Sequence, residues 1–284
     1  METVLVTGTS SGIGRATALR LAADGHRVLA GVRDAAAGTS LIAEVNGSGG
    51  EIEPVILDVT KQATIEAAVV RAKEVTDGDG LTGLVNNAGQ PVTGPMEVLP
   101  IDQLRHELEV NLIGQIAVTQ AFLPMLRAAK GRIVFVSSIG GQIVFPFAGA
   151  YHASKFGLEA AAEALRTELR GTGVEVAIVE PGTTDSEIWA KALDQSRAMV
   201  SELPAPQRNL YADEMEQFED RLEKTRDGDN MSAEKVAGKI EKALTSRRPP
   251  SRFPIGIGAK VAYRLRPVVP DRVWGAVTRR PFSG

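Results

Sequence analysis

The sequence predicts an α/β fold: a doubly wound parallel sheet of about seven strands with helices on both faces. Three observations carry that reading. Short apolar runs alternate with amphipathic helical stretches, without interruption, over about 180 residues. Runs such as the first are apolar throughout, as strands covered on both faces require. Neither a repeat nor a linker divides the chain, so residues 1–284 read as one domain, with a variable segment at 183–230 and a basic extension at 247–284.

Composition narrows the classes of function. The chain has 284 residues, 43% of them hydrophobic, and a net charge of −3. That length can bury a large core, and the near-neutral charge argues against general nucleic-acid binding. With no cysteine there is no disulfide, thiolate metal site or cysteine nucleophile. His26, His106 and His152 lack metal-ligand spacing, so no metal is expected. The N-terminus enters a strand at once, without a signal-peptide pattern, and no apolar run is expected to approach a membrane span. The expected setting is cytoplasmic.

The first run, Thr3-Val4-Leu5-Val6, feeds Thr7-Gly8-Thr9-Ser10-Ser11-Gly12-Ile13-Gly14. A helix follows, with Ala16, Ala18, Leu19 and Ala22 or Ala23 expected to face inward. Strand, glycine turn and helix make a phosphate cradle. Glycines let the backbone approach the ligand, and the helix N-terminus offers unpaired N–H groups and a favourable dipole. The second run, residues 27–32, ends at Arg33-Asp34. In dinucleotide sites an acid here binds ribose hydroxyls, whereas an arginine accommodates a 2′-phosphate. Arg33 comes first, so NADP(H) is favoured over NAD(H), and Asp34 reads as the N-cap of the next helix. Ser11 stands where a second basic residue would strengthen the phosphate reading. The third run, 52–57, ends at Asp58-Val59, and Asp58 can bond an adenine amino group or cap a helix starting near Thr60. The fourth, 81–85, enters Asn86-Asn87-Ala88-Gly89, which suits backbone positioning beside a cofactor or an Asx-rich turn.

Residues 100–128 carry one long helical pattern with Asn111 inside it. An interior asparagine competes for backbone groups, so Asn111 marks a water-binding kink or a solvated position. The fifth run, 132–136, ends at Ser137-Ser138. Ser138 would therefore sit at a strand's carboxyl end, where open α/β sheets bind ligands. Tyr151 and Lys155 follow, four residues apart and so on one helix face. A phenol titrates near ~10 and is a poor acid–base catalyst at neutral pH. A fixed cation nearby favours the phenolate. A hydroxyl at Ser138 can hold a substrate oxygen while the phenol exchanges its proton. The sixth run, 174–179, ends at Glu180-Pro181-Gly182, and residues 252–255 read as the last strand.

Seven motifs in register then identify a family. Thr7-Gly8-x-x-x-Gly12-Ile13-Gly14, Asp58, Asn86-Asn87-Ala88-Gly89, Asn111, Ser138, Tyr151-x-x-x-Lys155 and Pro181-Gly182 occur in that order. The chain resembles the short-chain dehydrogenases/reductases, closely over residues 1–185 and loosely beyond. The resemblance implies a Rossmann fold and an oxidoreductase that interconverts a secondary alcohol and a carbonyl by hydride transfer. It implies Tyr151 as the acid/base, Lys155 lowering its pKa and binding the nicotinamide ribose, Ser138 orienting the substrate oxygen, and Asn111 holding a water that links Lys155 to solvent. It places Gly8, Ser10, Ser11, Gly12, Ile13 and Gly14 along the cofactor phosphates, Asp58 and Val59 at the adenine, and Asn87, Ala88 and Gly89 beside the central ribose. Pro181, Gly182 and Thr184 cover the nicotinamide side, with Ser186 where the family more often has threonine. It also implies a homodimer or homotetramer through the helices bearing Asn111 and Tyr151. An epimerase or dehydratase on this fold is disfavoured because Ser138, Tyr151 and Lys155 are intact. An NAD-dependent alcohol dehydrogenase of the same family, or a nicotinamide-binding redox sensor without turnover, are the alternatives.

Beyond Gly182 the chain is the family's variable region. Ile188, Trp189, Ala192, Leu193 and Met199 suggest an amphipathic lid, followed by a proline-rich break at 204–206 and a charged helix at 210–226. With Phe145 and Phe147 they point to a bulky lipophilic substrate such as a steroid, retinoid or fatty carbonyl. Ser232 is expected to cap a helix running to about Thr245. The tail carries Val261, Tyr263, Leu265, Val268, Val269 and Trp274 among basic residues. It is expected to pack over the substrate opening or a subunit partner, with contact to an anionic membrane surface as the alternative.

Overall fold

The computed structural model describes residues 1–45, 49–182, 187–226, 231–266, 268–270 and 272–273. Seven strands, β1 (Thr3–Val6), β2 (Arg27–Val32), β3 (Glu51–Ile56), β4 (Gly83–Asn86), β5 (Arg132–Val136), β6 (Glu175–Pro181) and β7 (Arg252–Ile255), form one sheet. Its order is β3-β2-β1-β4-β5-β6-β7, and every neighbouring pair is parallel. The strand period of two sorts the apolar residues onto two faces. Leu5, Leu84, Ile133 and Phe135 meet α3 (Gln62–Thr76), α5 (Gly114–Ala129) and α6 (Gly149–Glu168) on one side. Val4, Val6, Val85, Val134 and Val136 meet α1 (Gly12–Ala23), α2 (Ala35–Ala43) and α9 (Ala233–Thr245) on the other.

The direction of winding reverses between β1 and β4, which are hydrogen-bonded neighbours. Connections leaving these two strands diverge there and open a crevice beyond their carboxyl ends. The glycine turn after β1 is clamped across that gap. Thr7 Oγ1 accepts from the backbone N–H groups of Asn87 and Ala88, both at 2.9 Å. The Asn87 amide donates to the carbonyls of Thr7 and Gly8 at 2.9 and 3.1 Å. Gly8 (φ 68°) and Gly12 (φ 56°) take left-handed conformations that favour glycine.

Most element positions agree with the sequence reading to within two residues. The differences have physical causes. The inward face of α1 is Gly14, Thr17, Ala18, Leu21 and Ala22, whereas Ala23 is exposed and Ala16 and Leu19 are half-buried. The helix packs against α9 as well as the sheet, which turns its buried stripe. Asp58 caps no helix: Oδ1 accepts from the backbone N–H and hydroxyl of Thr60 at 3.0 and 2.7 Å, and α3 begins only at Gln62. The expected helix over 100–128 is three pieces in one rod: α4 (Ile101–Leu108), a π turn over Glu109–Ile113, and α5. Contrary to expectation, the rod 101–129 is long enough to cross a membrane and contains an 18-residue window apolar enough to do so, with mean hydropathy 1.2. Val118, Phe122 and Leu126 are fully buried against the sheet, so its apolar face belongs to the core. Asp34 and Ser232 cap α2 and α9 as expected, accepting from the N–H groups of Ala37 and Lys235.

The variable region forms α7 (Glu187–Ser201) and α8 (Ala205–Arg226), with Pro204 and Pro206 at the start of α8, where proline is tolerated. After β7, α10 (Ile257–Leu265) leaves Ile257, Val261 and Leu265 exposed, with Tyr263 and Val268 also open to solvent. The helix packs on β7 and on the turn at 139–141, burying Ala259, and Trp274 lies outside the described residues.

Gly14→Ala tests the clamp. An added Cβ would lie 2.1 Å from Gly8 O and 2.4 Å from the Asn87 amide nitrogen. A loss of about 1–3 kcal/mol in urea unfolding is expected from such overpacking; unchanged stability would show that the turn is looser than its contacts imply.

Candidate active site

Two adjoining cavities open at the carboxyl edge of the sheet. The larger, about 670 Å³, is lined by Gly8, Ser10, Ser11, Gly12, Ile13, Arg33, Asp58, Val59, Asn87, Ala88 and Gly89. These are eleven of the residues expected to hold a cofactor, and the sheet topology brings them together from four strand ends. The N-terminus of α1 faces this cavity with no acidic residue in its first turn, so its free N–H groups suit an anion. Gly14 does not line the cavity; it is buried beneath, where its missing side chain lets the turn close. The smaller cavity, about 130 Å³, is bordered by Ser138, Ile139, Phe145, Ala148, Pro181, Gly182 and Phe218. Thr184 lies outside the described residues.

Tyr151 and Trp189 line both cavities. Their rings meet edge to face at 5.2 Å, so α7 borders the site through Trp189. Lys155 borders only the larger space and Ser138 only the smaller. Ser138 Oγ accepts from the Gly140 N–H at 3.0 Å, and its hydroxyl faces the Tyr151 phenol. With one lone pair used by Gly140, its hydroxyl proton is available to an oxygen in the smaller cavity.

The electrostatics correct one expectation. Lys155 Nζ donates to Val136 O at 2.9 Å and lies 5.8 Å from the Tyr151 ring centroid. Burial pushes its ammonium down to about 8, opposed by Glu107 and Glu159. The Tyr151 phenol is not lowered; burial pushes it up to about 12, Ser138 opposing and the charge of Glu107 adding to the rise. At this geometry desolvation of the phenolate is the largest influence on the tyrosine.

Asn111 lines neither cavity. It is fully buried in the π turn. Its Oδ1 accepts from the Gln90 N–H at 2.9 Å, and its amide faces Gln90 O and Glu107 Oε1 at 2.7 Å and Ser154 Oγ at 3.1 Å. Gln115, also fully buried, donates to Ala88 O at 2.7 Å. Together they fix the loop after β4 from behind. Asn86 turns away from the site, its amide on Thr119 Oγ1 at 2.8 Å.

His152, which the sequence marks only as lacking metal spacing, organises the smaller cavity. Its Nε2 accepts from the Phe145 N–H and its Nδ1 meets Gly140 O, both at 2.9 Å. The first contact leaves the proton on Nδ1, and burial holds the ring's pKa below its ordinary value, keeping it neutral. Phe145 borders the cavity as expected. Phe147 does not: in a left-handed conformation (φ 62°) it turns to α8, 5.6 Å from the Phe218 ring and 6.5 Å from Tyr211. Both Gln115 and Glu107 sit at helical spacing from Asn111, four residues either side, and that periodicity is the signal that could have found them.

Comparison with known proteins agrees with this architecture. A family model for short chain dehydrogenases matches residues 2–197. Over 264 residues the chain is 37% identical to retinol dehydrogenase 16 of Mus musculus, spanning 92% of this chain and 82% of that protein. It is 39% identical over 261 residues to 17-beta-hydroxysteroid dehydrogenase type 6 of Bos taurus, spanning 90% and 81%. A short-chain dehydrogenase structure from Streptomyces avermitilis superposes with a TM-score of 0.77 at 29% identity, covering 98% of this chain and 95% of that one. The likeness extends over nearly the whole length, and the chain belongs to the short-chain dehydrogenase family, as an NAD(P)-dependent oxidoreductase acting between alcohols and carbonyls.

Proposed function

We propose that the protein is an NADP(H)-preferring carbonyl reductase for bulky lipophilic ketones or aldehydes, with Tyr151 as its proton carrier. The observation that carries this reading is the position of Tyr151 between the two cavities, with Lys155 on the larger side and Ser138 on the smaller. The larger cavity fits a dinucleotide, because Gly8 and Gly12 line it without side chains. Bound nicotinamide supplies or accepts the hydride. In reduction Ser138 donates a hydrogen bond to the carbonyl oxygen as negative charge develops there. Tyr151 gives that oxygen its proton. Lys155, tied to Val136 O, holds a positive charge beneath the phenol. A phenol pushed up to about 12 is fully protonated at neutral pH, so the proton is in place when alkoxide charge develops on the substrate oxygen.

Arg33 supports the NADP(H) preference. It is exposed, lines the larger cavity and makes no ion pair among the described residues. Asp34 instead has an oxygen committed to the Ala37 N–H at 2.9 Å. The smaller cavity is mostly apolar, and at about 130 Å³ it admits the reacting end of a lipophilic molecule, not the whole. The names of two relatives, a retinol and a hydroxysteroid dehydrogenase, support the same class.

Three outcomes are expected. Tyr151→Phe should lower turnover at least about a thousandfold while leaving cofactor affinity within a few-fold, and near-wild-type turnover would refute the assignment. NADPH should bind at least about tenfold more tightly than NADH, with Arg33→Ala removing most of the difference. Bound-nicotinamide fluorescence reads both constants, and tighter NADH binding would return Asp34 to the ribose. In a carbonyl panel, hydrophobic ketones should show higher kcat/KM than small polar ones; the reverse order would overturn the substrate class.

A further inference from the structure

Glu107 is a buried carboxyl that the reaction as described does not use. It lies at the end of α4, fully buried. Asn111, one helical turn on, donates to its Oε1 at 2.7 Å. The same amide reaches Gln90 O and Ser154 Oγ, so the carboxyl sits where α4, the loop after β4 and α6 converge. The Ser154 hydroxyl and the Val92 N–H also face it. Its Oε2 makes no close hydrogen bond among the described residues. An incompletely bonded carboxyl in the interior is expensive to ionise. The titratable groups that feel its charge are Lys155 and Tyr151, both on α6. The loop after β4 contributes only backbone groups of Gln90 and Val92.

We propose that Glu107 is a positioning residue of the active site: its carboxyl, locked behind Asn111, controls by its own charge state how readily Tyr151 gives up its proton. Neutral Glu107 places no charge against the phenolate. Ionised Glu107 opposes the phenolate's negative charge and holds the proton on the tyrosine. Burial pushes the carboxyl up to about 8, so the change of state falls at mildly alkaline pH. There it opposes phenolate formation, and so opposes alcohol oxidation, as the pH rises. The inference rests on Tyr151 as the proton carrier.

The test is the ionisation of Tyr151 in the complex with NADP⁺, read by near-ultraviolet phenolate absorbance against alkaline pH. The chain has three tyrosines, so subtracting the Tyr151→Phe spectrum isolates the one of interest. Glu107→Gln keeps the acceptor for Asn111 and removes the charge. Its Tyr151 midpoint should fall by about one pH unit. Glu107→Leu serves as a second charge-free variant should the first not fold. Glu107→Asp retains the charge and should keep the wild-type midpoint. A charge-free variant whose midpoint is no lower than the wild type's overturns the proposal, including the case where neither titrates in range. So does a Glu107→Asp midpoint that falls as far as that of Glu107→Gln, which would mark a purely steric role. Full turnover in Tyr151→Phe would instead sink the assignment of the proton carrier, leaving the measured coupling between Glu107 and Tyr151 as it stands.

Discussion

The structure depends on keeping an ammonium, a phenol and a carboxyl together where water is scarce. Lys155, Tyr151 and Glu107 would each be easily hydrated alone. Packed together, each has its protonation equilibrium moved mainly by burial, with the neighbours' charges as corrections. What makes the cluster tolerable is backbone and amide polarity. The end of β5 gives Lys155 a carbonyl, and the π turn offers Glu107 an amide. A regular helix would aim Asn111 differently. The extra residue of a π turn re-aims side chains and is found at functional sites for that reason.

That arrangement requires rigid support, and the sheet provides it. Strand order places the ends of β1 and β4 side by side, and Thr7 and Asn87 stitch them with four hydrogen bonds. Gln115 and Asn111 then hold the next residues of the same loop from the helix behind. The cofactor-facing loops are thereby anchored in the core, while the substrate side is enclosed by separate elements. His152 braces the 139–147 loop, and Phe147 joins it to α8. Thr93 Oγ1 donates to Ala192 O at 2.9 Å and ties α7 to the loop after β4. Chemistry and specificity are thus built from different parts of the chain, which allows the second to vary while the first stays fixed.

A buried ionic cluster also lies behind the substrate side. Arg252 on β7 contacts Glu159 and Glu180, the latter at 2.9 Å, and Glu180 accepts from Gln142. It links the last strand to α6 and to the residues leading into Pro181-Gly182. Burial and the neighbouring Glu159 push Glu180 up to about 7, with Arg252 opposing. The arrangement explains why a short edge strand after a long variable excursion still returns to a defined register.

The sequence by itself determined the alternation of strands and helices, the glycine cradle and the Ser138, Tyr151 and Lys155 set, because these are local. Apolar runs, turn glycines and i, i+4 spacing declare themselves within a few residues. It also placed the caps at Asp34 and Ser232, whose partners are three residues away. Tertiary structure alone decided the rest. Whether Lys155 lowers the tyrosine depends on desolvation by elements distant in sequence, and that reversed the expected shift. Asn111 was legible as an irregularity, but its partners at Gln90 and Ser154 lie 21 and 43 residues away. Phe147 had the right composition for the substrate cavity, yet a left-handed backbone turned it to α8. Glu107 read as one more charge on a helix until packing removed its water. A residue's type and spacing are written in the chain; its solvation and its distant neighbours exist only once the chain has folded.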